Sequence, residues 1–199
     1  MKSLLTIAAL LLSVSAANAQ ISLGSPIYGG TGCPNGSASV SLTQDQQTLS
    51  ILFDSFVVQA PTMQGATFDR KACNLRIPVR VGSGYQVALI AFDYNGFAAI
   101  PVGGRGQFQA RYAYVGQARP AIFNKTFGGG QASNYSLKNE LISTTIDWSP
   151  CSSGQDLMMV VDANILAMTN NRNEAAQLSI DSVDVSTGLL YKYQLRRCR

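Results

Sequence analysis

Hydrophobic and polar residues alternate in short segments along this chain, and a period of two is typical of β-strands with one buried face. Ser37–Leu42 and Leu49–Phe53 alternate on either side of the polar segment Gln44–Gln47. The three segments together predict a β-hairpin. Phe56 falls in the opposite phase, so we expect a β-bulge at Asp54–Ser55 to return the later apolar residues to the buried face.

The middle of the chain continues this pattern. Leu75–Val81 alternates, and we expect it at a sheet edge because Pro78 lacks the N–H that a sheet ladder needs. Tyr85–Tyr94 has apolar residues in both phases, which is typical of a central strand. Asn95–Gly96 predicts a tight hairpin turn into a returning strand, Phe97–Val102.

The second half predicts further strands and one long loop. Phe108–Tyr114 alternates with polar residues, whereas Gly116–Ser133 shows little periodicity and is predicted to be a loop. The remaining predicted strands are Tyr135–Ile146, Leu157–Met168, Leu178–Val185 and Leu190–Leu195. We therefore expect an all-β fold, a single-domain antiparallel β-sandwich of about nine or ten strands, with a closed barrel as the alternative.

The amino terminus has the composition of a secretory signal peptide. Lys2 precedes the uncharged apolar segment Leu4–Ala16, and the small-x-small sequence Ala17–Ala19 follows. The apolar segment is short for a transmembrane helix. We expect residues 1–19 to be a signal peptide and residues 20–199 to form a single secreted β-sandwich domain, extracellular or periplasmic, without a membrane span.

Four cysteines follow the predicted cleavage site: Cys33, Cys73, Cys151 and Cys198. An even number in an exported chain predicts two disulfide bonds, for which three connectivities are possible. The chain has no Cys-x-x-Cys pair and no histidine, so the spacing does not suit zinc. From proximity in sequence we favour Cys33–Cys73 and Cys151–Cys198.

Several short motifs occur in order along the mature chain. They are Gly29–Pro34, Leu52–Phe56, Arg70–Cys73, Gly84–Tyr85, Asp93–Gly96, Trp148–Cys151 and Arg197–Cys198. In these motifs the chain resembles the secreted domain-of-unknown-function family 4360 over nearly the whole mature sequence. The resemblance implies export, a β-rich domain and paired cysteines, and it supplies no catalytic residues.

The absence of histidine limits the chemistry of the chain, because a Ser-His-Asp or Cys-His site needs that residue. No P-loop is present, and Gly103–Gly106 lacks the strand-and-helix setting of a nucleotide-binding motif. We therefore predict no cofactor. The formal charge of +4 is spread along the chain, so we also expect no nucleic-acid partner.

Carboxylates are the remaining candidates for chemistry. They are Asp54, Asp93, Asp162, Asp181 and Asp184. Two of them would have to meet in a cleft to act as a glycosidase-like pair, whereas aspartates beside strands commonly cap turns and bulges. Asp93–Gly96 and Asp181–Asp184 are also rich in oxygen atoms, but neither completes the ligand set that calcium requires, and we predict no metal site.

Aromatic side chains offer another kind of site, since an exposed ring presents a flat apolar face to a sugar. Tyr112 and Tyr114 share one strand face, as do Tyr191 and Tyr193, although such pairs are more often core packing. The other candidate rings are Tyr28, Tyr85, Tyr94, Tyr135 and Trp148. Three Asn-x-Ser/Thr sequences are glycosylation acceptors only in a host that glycosylates, and they begin at Asn35, Asn124 and Asn134.

Two functions are consistent with these observations. One is a non-enzymatic exported module that binds a glycan or an extracellular protein, and the other is an extracellular carboxylate-dependent hydrolase. An enzyme would have a carboxyl group of raised pKa beside a second one in a cleft, whereas a binding module would have an exposed aromatic or apolar patch. We favour the binding module.

The predicted processing is directly testable. We expect the secreted protein to begin at Gln20, because Ala17–Ala19 has the small residues that signal peptidases require. Intact-mass analysis of protein collected outside the cell measures this end. A secreted product that retains Met1 contradicts the prediction.

Overall fold

The computed structural model describes residues 21–117, 119–140, 146–180 and 189–198. In chain order their strands are β1 (Ile21–Leu23), β2 (Ile27–Gly29), β3 (Ala38–Leu42), β4 (Thr48–Phe53), β5 (Val57–Ala60), β6 (Phe68–Val81), β7 (Tyr85–Ile100), β8 (Arg105–Tyr114), β9 (Ala121–Gly128), β10 (Gln131–Glu140), β11 (Leu157–Met168), β12 (Ala176–Ile180) and β13 (Leu189–Arg197). Within these ranges no helix has the length and apolar character needed to cross a membrane.

The strands pair in two antiparallel sheets, which confirms the predicted β-sandwich. The front sheet has the order β1-β6-β11-β8-β9, and β2 also pairs with β6. The back sheet has the order β3-β4-β13-β7-β12-β5, and β10 pairs with β7. The described residues contain thirteen strands rather than the expected nine or ten, because β1 and β2 are very short and β9 lies in the segment predicted to be a loop.

β11 lies at the centre of the front sheet, since it pairs with β6 on one side and with β8 on the other. Its inward residues Val161, Ala163 and Ile165 are buried in the core. Asp162 and Asn164 interrupt this apolar segment in the sequence, and the alternation of the strand places both on the outer face.

Aromatic rings join the two sheets. Tyr94 of the back sheet packs edge-on against Phe108 of the front sheet, with ring centroids 4.8 Å apart. Phe92 packs against Tyr112 in the same way at 5.2 Å, and Tyr191 lies 5.8 Å from Tyr112. Such pairs contribute roughly 0.5–1.5 kcal/mol each beyond the area that they bury, so they fix one sheet against the other.

These interior tyrosines remain uncharged at neutral pH. Burial raises the pKa of Tyr94, Tyr112 and Tyr191 well above the ordinary tyrosine value. Ionisation therefore favours the unfolded chain only above about pH 10, where exposed tyrosine begins to lose its proton. The cluster stabilises the sandwich equally at all pH values near neutrality.

β7 pairs on both sides, which confirms the predicted central strand, but it runs through Asn95–Gly96 without turning, and the predicted hairpin is wrong. The strand continues to Ile100 and pairs with β10 as far as that residue. Gly96 serves close packing instead, because a Cβ built on it lies 2.0 Å from the carbonyl oxygen of Ser179. The Asn-Gly signal misleads here since glycine also marks sites where another backbone approaches closely.

A bulge explains why apolar residues occupy both phases of this strand. The ladder between β7 and β13 shifts register between Lys192 and Tyr193, which leaves Ile90 without a partner in β13. Val87–Leu89 are buried before the bulge, and every even-numbered residue from Phe92 onwards is buried after it.

The predicted loop over Gly116–Ser133 is wrong in its second part. Ala121–Gly128 form β9 at the edge of the front sheet, and β10 begins at Gln131. Among the described strands β9 pairs only with β8, so several of its residues are exposed to solvent and the apolar alternation is weak.

The edge position predicted from Pro78 is also wrong, because β6 has partners on both sides. β11 pairs along one side, while β1 and β2 share the other. The carbonyl oxygen of Pro78 accepts a hydrogen bond from the backbone nitrogen of Gly24 at 2.8 Å. The nitrogen and oxygen of one extended residue point to the same side, so the missing N–H faces the link between β1 and β2 and leaves the ladder with β11 intact.

The phase break at Asp54–Ser55 separates two strands, and the predicted bulge within one strand is wrong. β4 pairs with β3 and β13, whereas β5 pairs with β12. Phe53 and Phe56 are nevertheless both buried, with ring centroids 5.1 Å apart. The apolar side chains return to the core as expected.

Some predictions fall outside the described residues. The predicted strands that correspond to β10 and β12 are described only up to the ends of those strands, before residues 141–145 and 181–188. The second of these segments contains the candidate carboxylates Asp181 and Asp184.

Both favoured disulfide bonds are present. Cys33–Cys73 attaches the link between β2 and β3, which passes from the front sheet to the back sheet, to the middle of β6. Cys151–Cys198 attaches the end of β13 to the segment before β11. The backbone nitrogen of Cys198 also donates to the Gly84 carbonyl oxygen at 2.8 Å.

Removing the first disulfide should cost much of the stability of the fold. The bond closes a separation of 40 residues, and in the loop-entropy model its loss lowers the free energy of unfolding by about 4 kcal/mol. Urea denaturation of the variant Cys33→Ala/Cys73→Ala measures this against the wild-type protein, with Cys151→Ala/Cys198→Ala as the companion. A loss below about 1 kcal/mol would show that the sheets do not depend on this cross-link.

Candidate functional site

Side chains on the outer face of the front sheet form a groove of about 260 Å³. Its lining comes from β6, β8, β9 and β11 and consists of Arg70, Gln107, Phe108, Gln109, Asn124, Lys125, Thr126, Asn164, Ile165 and Leu166. Four of these ten residues carry side-chain amides, which makes the groove unusually rich in groups that both donate and accept hydrogen bonds.

Strand register brings the amides together. Asn164 of β11 lies opposite Gln109 of β8, and Gln109 lies opposite Asn124 of β9. Gln107 precedes Gln109 by two residues and therefore lies on the same outer face. Phe108, between them, is buried in the aromatic cluster, and its burial fixes the outward direction of both glutamines.

Two hydrogen bonds order these side chains. The amide nitrogen of Gln109 donates to the amide oxygen of Asn124 at 2.8 Å, and the Arg70 guanidinium donates to the amide oxygen of Asn164 at 3.3 Å. Each bonded amide keeps a second polar group for a ligand. The Gln107 amide makes no hydrogen bond within the described part of the chain, so its donor and acceptor both remain available.

Exposed apolar side chains flank the amides on the same face. Phe68 and Met168 face each other in register, one step along the strands from the groove, and are 54% and 40% exposed. Ile122 lies one step beyond the groove in the opposite direction and is 56% exposed. An apolar pair therefore borders the polar centre on one side, while on the other side Ile122 shares its row with Arg111 and Asp162.

The groove also carries positive charge. The Arg70 side chain lies on this face and the lining contains no carboxylate, while Lys125 borders the groove from β9, opposite the buried Phe108. Asp162 lies in the next register row beyond Asn164, where it forms an ion pair with Arg76 at 3.2 Å.

The structure does not bring the described candidate carboxylates together. Asp54 is exposed in the link after β4, and Asp93 is half-buried on the outer face of the back sheet. No hydrogen bond or ion pair joins them to each other or to Asp162 within the described ranges. Asp54 and Asp93 remain candidate polar positions, as do Asp181 and Asp184 outside those ranges.

The search for metal ligands gives no cluster. In the described part of the chain, no group of three or more histidine, cysteine, aspartate or glutamate residues is placed to hold an ion. Asp93 and Asn95, the oxygen-bearing pair considered for calcium, lie along β7 rather than in a loop that could wrap a cation.

The tyrosine pair on β8 belongs to the core, as the more common interpretation of such pairs predicts. Tyr112 and Tyr114 are both buried. Trp148 is half-buried, with the guanidinium carbon of Arg196 4.0 Å from its ring centroid. The exposed ring beside the groove is Phe68, which the sequence did not single out.

The groove residues gave only partial signals in the sequence. The alternation around Phe108–Tyr114 places Gln107 and Gln109 on the polar face of a strand, and Asn164 interrupts an apolar segment. Asn124 was noted only as a glycosylation acceptor, because its segment was predicted to be a loop. Their convergence depends on the pairing of β11 with β8 and β9, which no local pattern specifies.

Comparison with known proteins identifies the family. A family model described as "Domain of unknown function (DUF4360)" matches residues 19–198. The chain belongs to this family. The resemblance carried by the sequence motifs is thereby confirmed over nearly the whole mature chain.

A curated relative comes from Arthroderma benhamiae and is described as an uncharacterized secreted protein. It is 31% identical over 171 residues, which cover 86% of this chain and 69% of the relative. This DUF4360 protein is likewise secreted, and its two disulfide bonds suit an extracellular location.

Two solved structures share a distant likeness. One is TmCBM61 in complex with beta-1,4-galactotriose, at 6% identity and a TM-score of 0.30 over 86% of this chain and 88% of that one. The other is a GH31 alpha-xylosidase from Xanthomonas citri, at 10% identity and a TM-score of 0.18 over 89% of this chain and 19% of that one. At such low TM-scores the chain's own geometry has to carry any functional argument.

Proposed function

We propose that this secreted protein is a non-enzymatic glycan-binding module and that the glycan lies in the front-sheet groove. The module is the mature chain, residues 20–199, released from the predicted signal peptide. The observation that carries the proposal is the group of outward amides at Gln107, Gln109, Asn124 and Asn164.

Amides match the chemistry of sugars. A sugar hydroxyl both donates and accepts hydrogen bonds, and a glutamine or asparagine side chain offers one group of each kind. The bond between Gln109 and Asn124 holds both side chains in place before a ligand arrives, which reduces the conformational entropy lost on binding. The volume of about 260 Å³ is just below the usual range for small-molecule sites and suits a short part of a glycan chain better than a protein surface.

Phe68 supplies the apolar part of such a site. Its exposed ring lies beside the groove, with Met168 next to it. A sugar unit that extends beyond the amides can therefore place its C–H face against the Phe68 ring. Burial of these two side chains on binding would also explain why a secreted protein leaves them in water.

A hydrolase is less well supported. Glycoside hydrolysis requires two carboxyl groups on either side of the bond to be cleaved. The groove lining contains none, and Asp162 nearby is held by Arg76. The groove can therefore bind a glycan without the residues needed to cleave it.

The test compares two asparagines that occupy similar positions on different sheets. Asn124 on β9 lines the groove, whereas Asn134 on β10 is exposed on the back sheet. Calorimetric titration with glycans that bind the wild-type protein should show about fivefold weaker binding for Asn124→Ala, the loss of roughly 1 kcal/mol of hydrogen bonding. Asn134→Ala should bind like the wild type.

Production in a bacterial periplasm allows both disulfides to form and keeps Asn124 free of attached glycan. Circular dichroism of each variant checks that the fold is unchanged. If Asn124→Ala binds as tightly as Asn134→Ala and Gln107→Ala also binds like the wild type, the ligand lies outside the front-sheet groove. Failure of the oxidised wild-type protein to bind any glycan of a broad panel would contradict the proposed function itself.

A further inference from the structure

We infer that the groove selects anionic glycans, whose carboxylate or sulfate groups bind Arg70. This inference rests on the proposed glycan-binding function and specifies the class of its ligand. It is carried by the distribution of charge over the outer face of the front sheet.

Arginines on this face fall into two groups. Arg76 and Arg80 each have a carboxylate partner, Asp162 at 3.2 Å and Asp156 at 2.8 Å. Arg70, Arg105 and Arg111 have no carboxylate partner within the described ranges, and the Arg70 guanidinium donates to the neutral amide of Asn164. The uncompensated charge therefore lies at the groove and in the rows on either side of it.

Arg70 lies at one side of the amides. It belongs to β6, and its register row continues through Leu166 of β11 and Gln107 of β8 to Thr126 of β9. Lys125 of β9 is the register partner of the buried Phe108, so its side chain leaves the strand on the inner face. A glycan that lies across the strands would meet the Arg70 cation on the β6 side and neutral amides beyond it.

Arg105 extends the positive surface along β8. It is exposed, precedes Gln107 by two residues on the same outer face, and forms no ion pair with a described residue. Its register partner on β9 is Gly128, which has no side chain to cover it. An acidic chain longer than the groove can therefore continue towards Phe68 without meeting a carboxylate in these rows.

The free hydrogen-bond donors of Arg70 also favour an anionic ligand. The bond to Asn164 uses one N–H of the Arg70 guanidinium, and the remaining N–H groups can form the paired contacts that arginine makes with carboxylate or sulfate oxygens. Arg70 should therefore contribute most of the selectivity for anionic groups.

The experiment uses pairs of polymers that share a backbone and differ in charge. Polygalacturonate is compared with its methyl ester, and dextran sulfate with dextran, by affinity electrophoresis and calorimetry on the oxidised full-length mature protein. We expect the acidic member to bind at least about tenfold more tightly in each pair that binds, the effect of one charge-assisted hydrogen bond. The two pairs distinguish carboxylate from sulfate.

Matched variants show where this preference originates. Arg70→Gln should remove most of the preference for the acidic member. Arg80→Gln removes the same charge from the same sheet face, but it should change the affinity by about twofold or less because Arg80 is paired with Asp156.

Binding of the acidic member should also weaken as salt rises from about 0.01 M to about 1 M, since the Debye length falls from about 30 Å to about 3 Å.

The outcomes separate this inference from the function on which it rests. If neutral members bind as tightly as acidic ones, the anion preference is wrong while glycan binding stands. If Arg80→Gln weakens binding as much as Arg70→Gln, the attraction is a general effect of net charge and the assignment to the groove is wrong. If no polymer of either charge binds, the proposed function and this inference both fail.

Discussion

Ring packing between the sheets is the interaction on which the rest of the structure depends. Tyr94 and Phe92 on β7 meet Phe108 and Tyr112 on β8, so one strand of each sheet is held against the other by several edge-to-face contacts. Because side chains alternate along a strand, this packing also fixes which residues of β8 face outward. With Phe108 buried inward, Gln107 and Gln109 must point outward. The polar character of the outer face is thus a direct consequence of the packing of the core.

The same alternation fixes the outward residues on four strands of the front sheet. Antiparallel register places outward residues of β6, β11, β8 and β9 in rows, and the rows between Phe68 and Ile122 contain the four amides and Arg70. A site on rigid strands loses little conformational entropy when it binds. The two disulfides attach the link after β2 and the end of β13 to the same framework, which suits a protein that has to keep its shape outside the cell.

The sequence predicted the parts of this site better than their arrangement. Alternation identified the polar face of β8, and proximity identified both disulfides. Asn95–Gly96 misled because the glycine admits the backbone of Ser179 rather than a turn, and β9 was missed because an edge strand exposes residues on both faces. The pairing of β8 with β11, which are separated by more than forty residues of chain, is a property of the whole fold. Local periodicity carries no information about it.

The central claim is that a glycan binds across the outer face of the front sheet. A crystal structure of the oxidised protein with a bound acidic oligosaccharide tests this most directly. The account predicts sugar hydroxyls within hydrogen-bond distance of Gln107, Asn124 and Asn164, an anionic group at the Arg70 guanidinium, and the chain of sugars running across the strands. An oligosaccharide bound to the back sheet, or to the loops at either end of the sandwich, would contradict it.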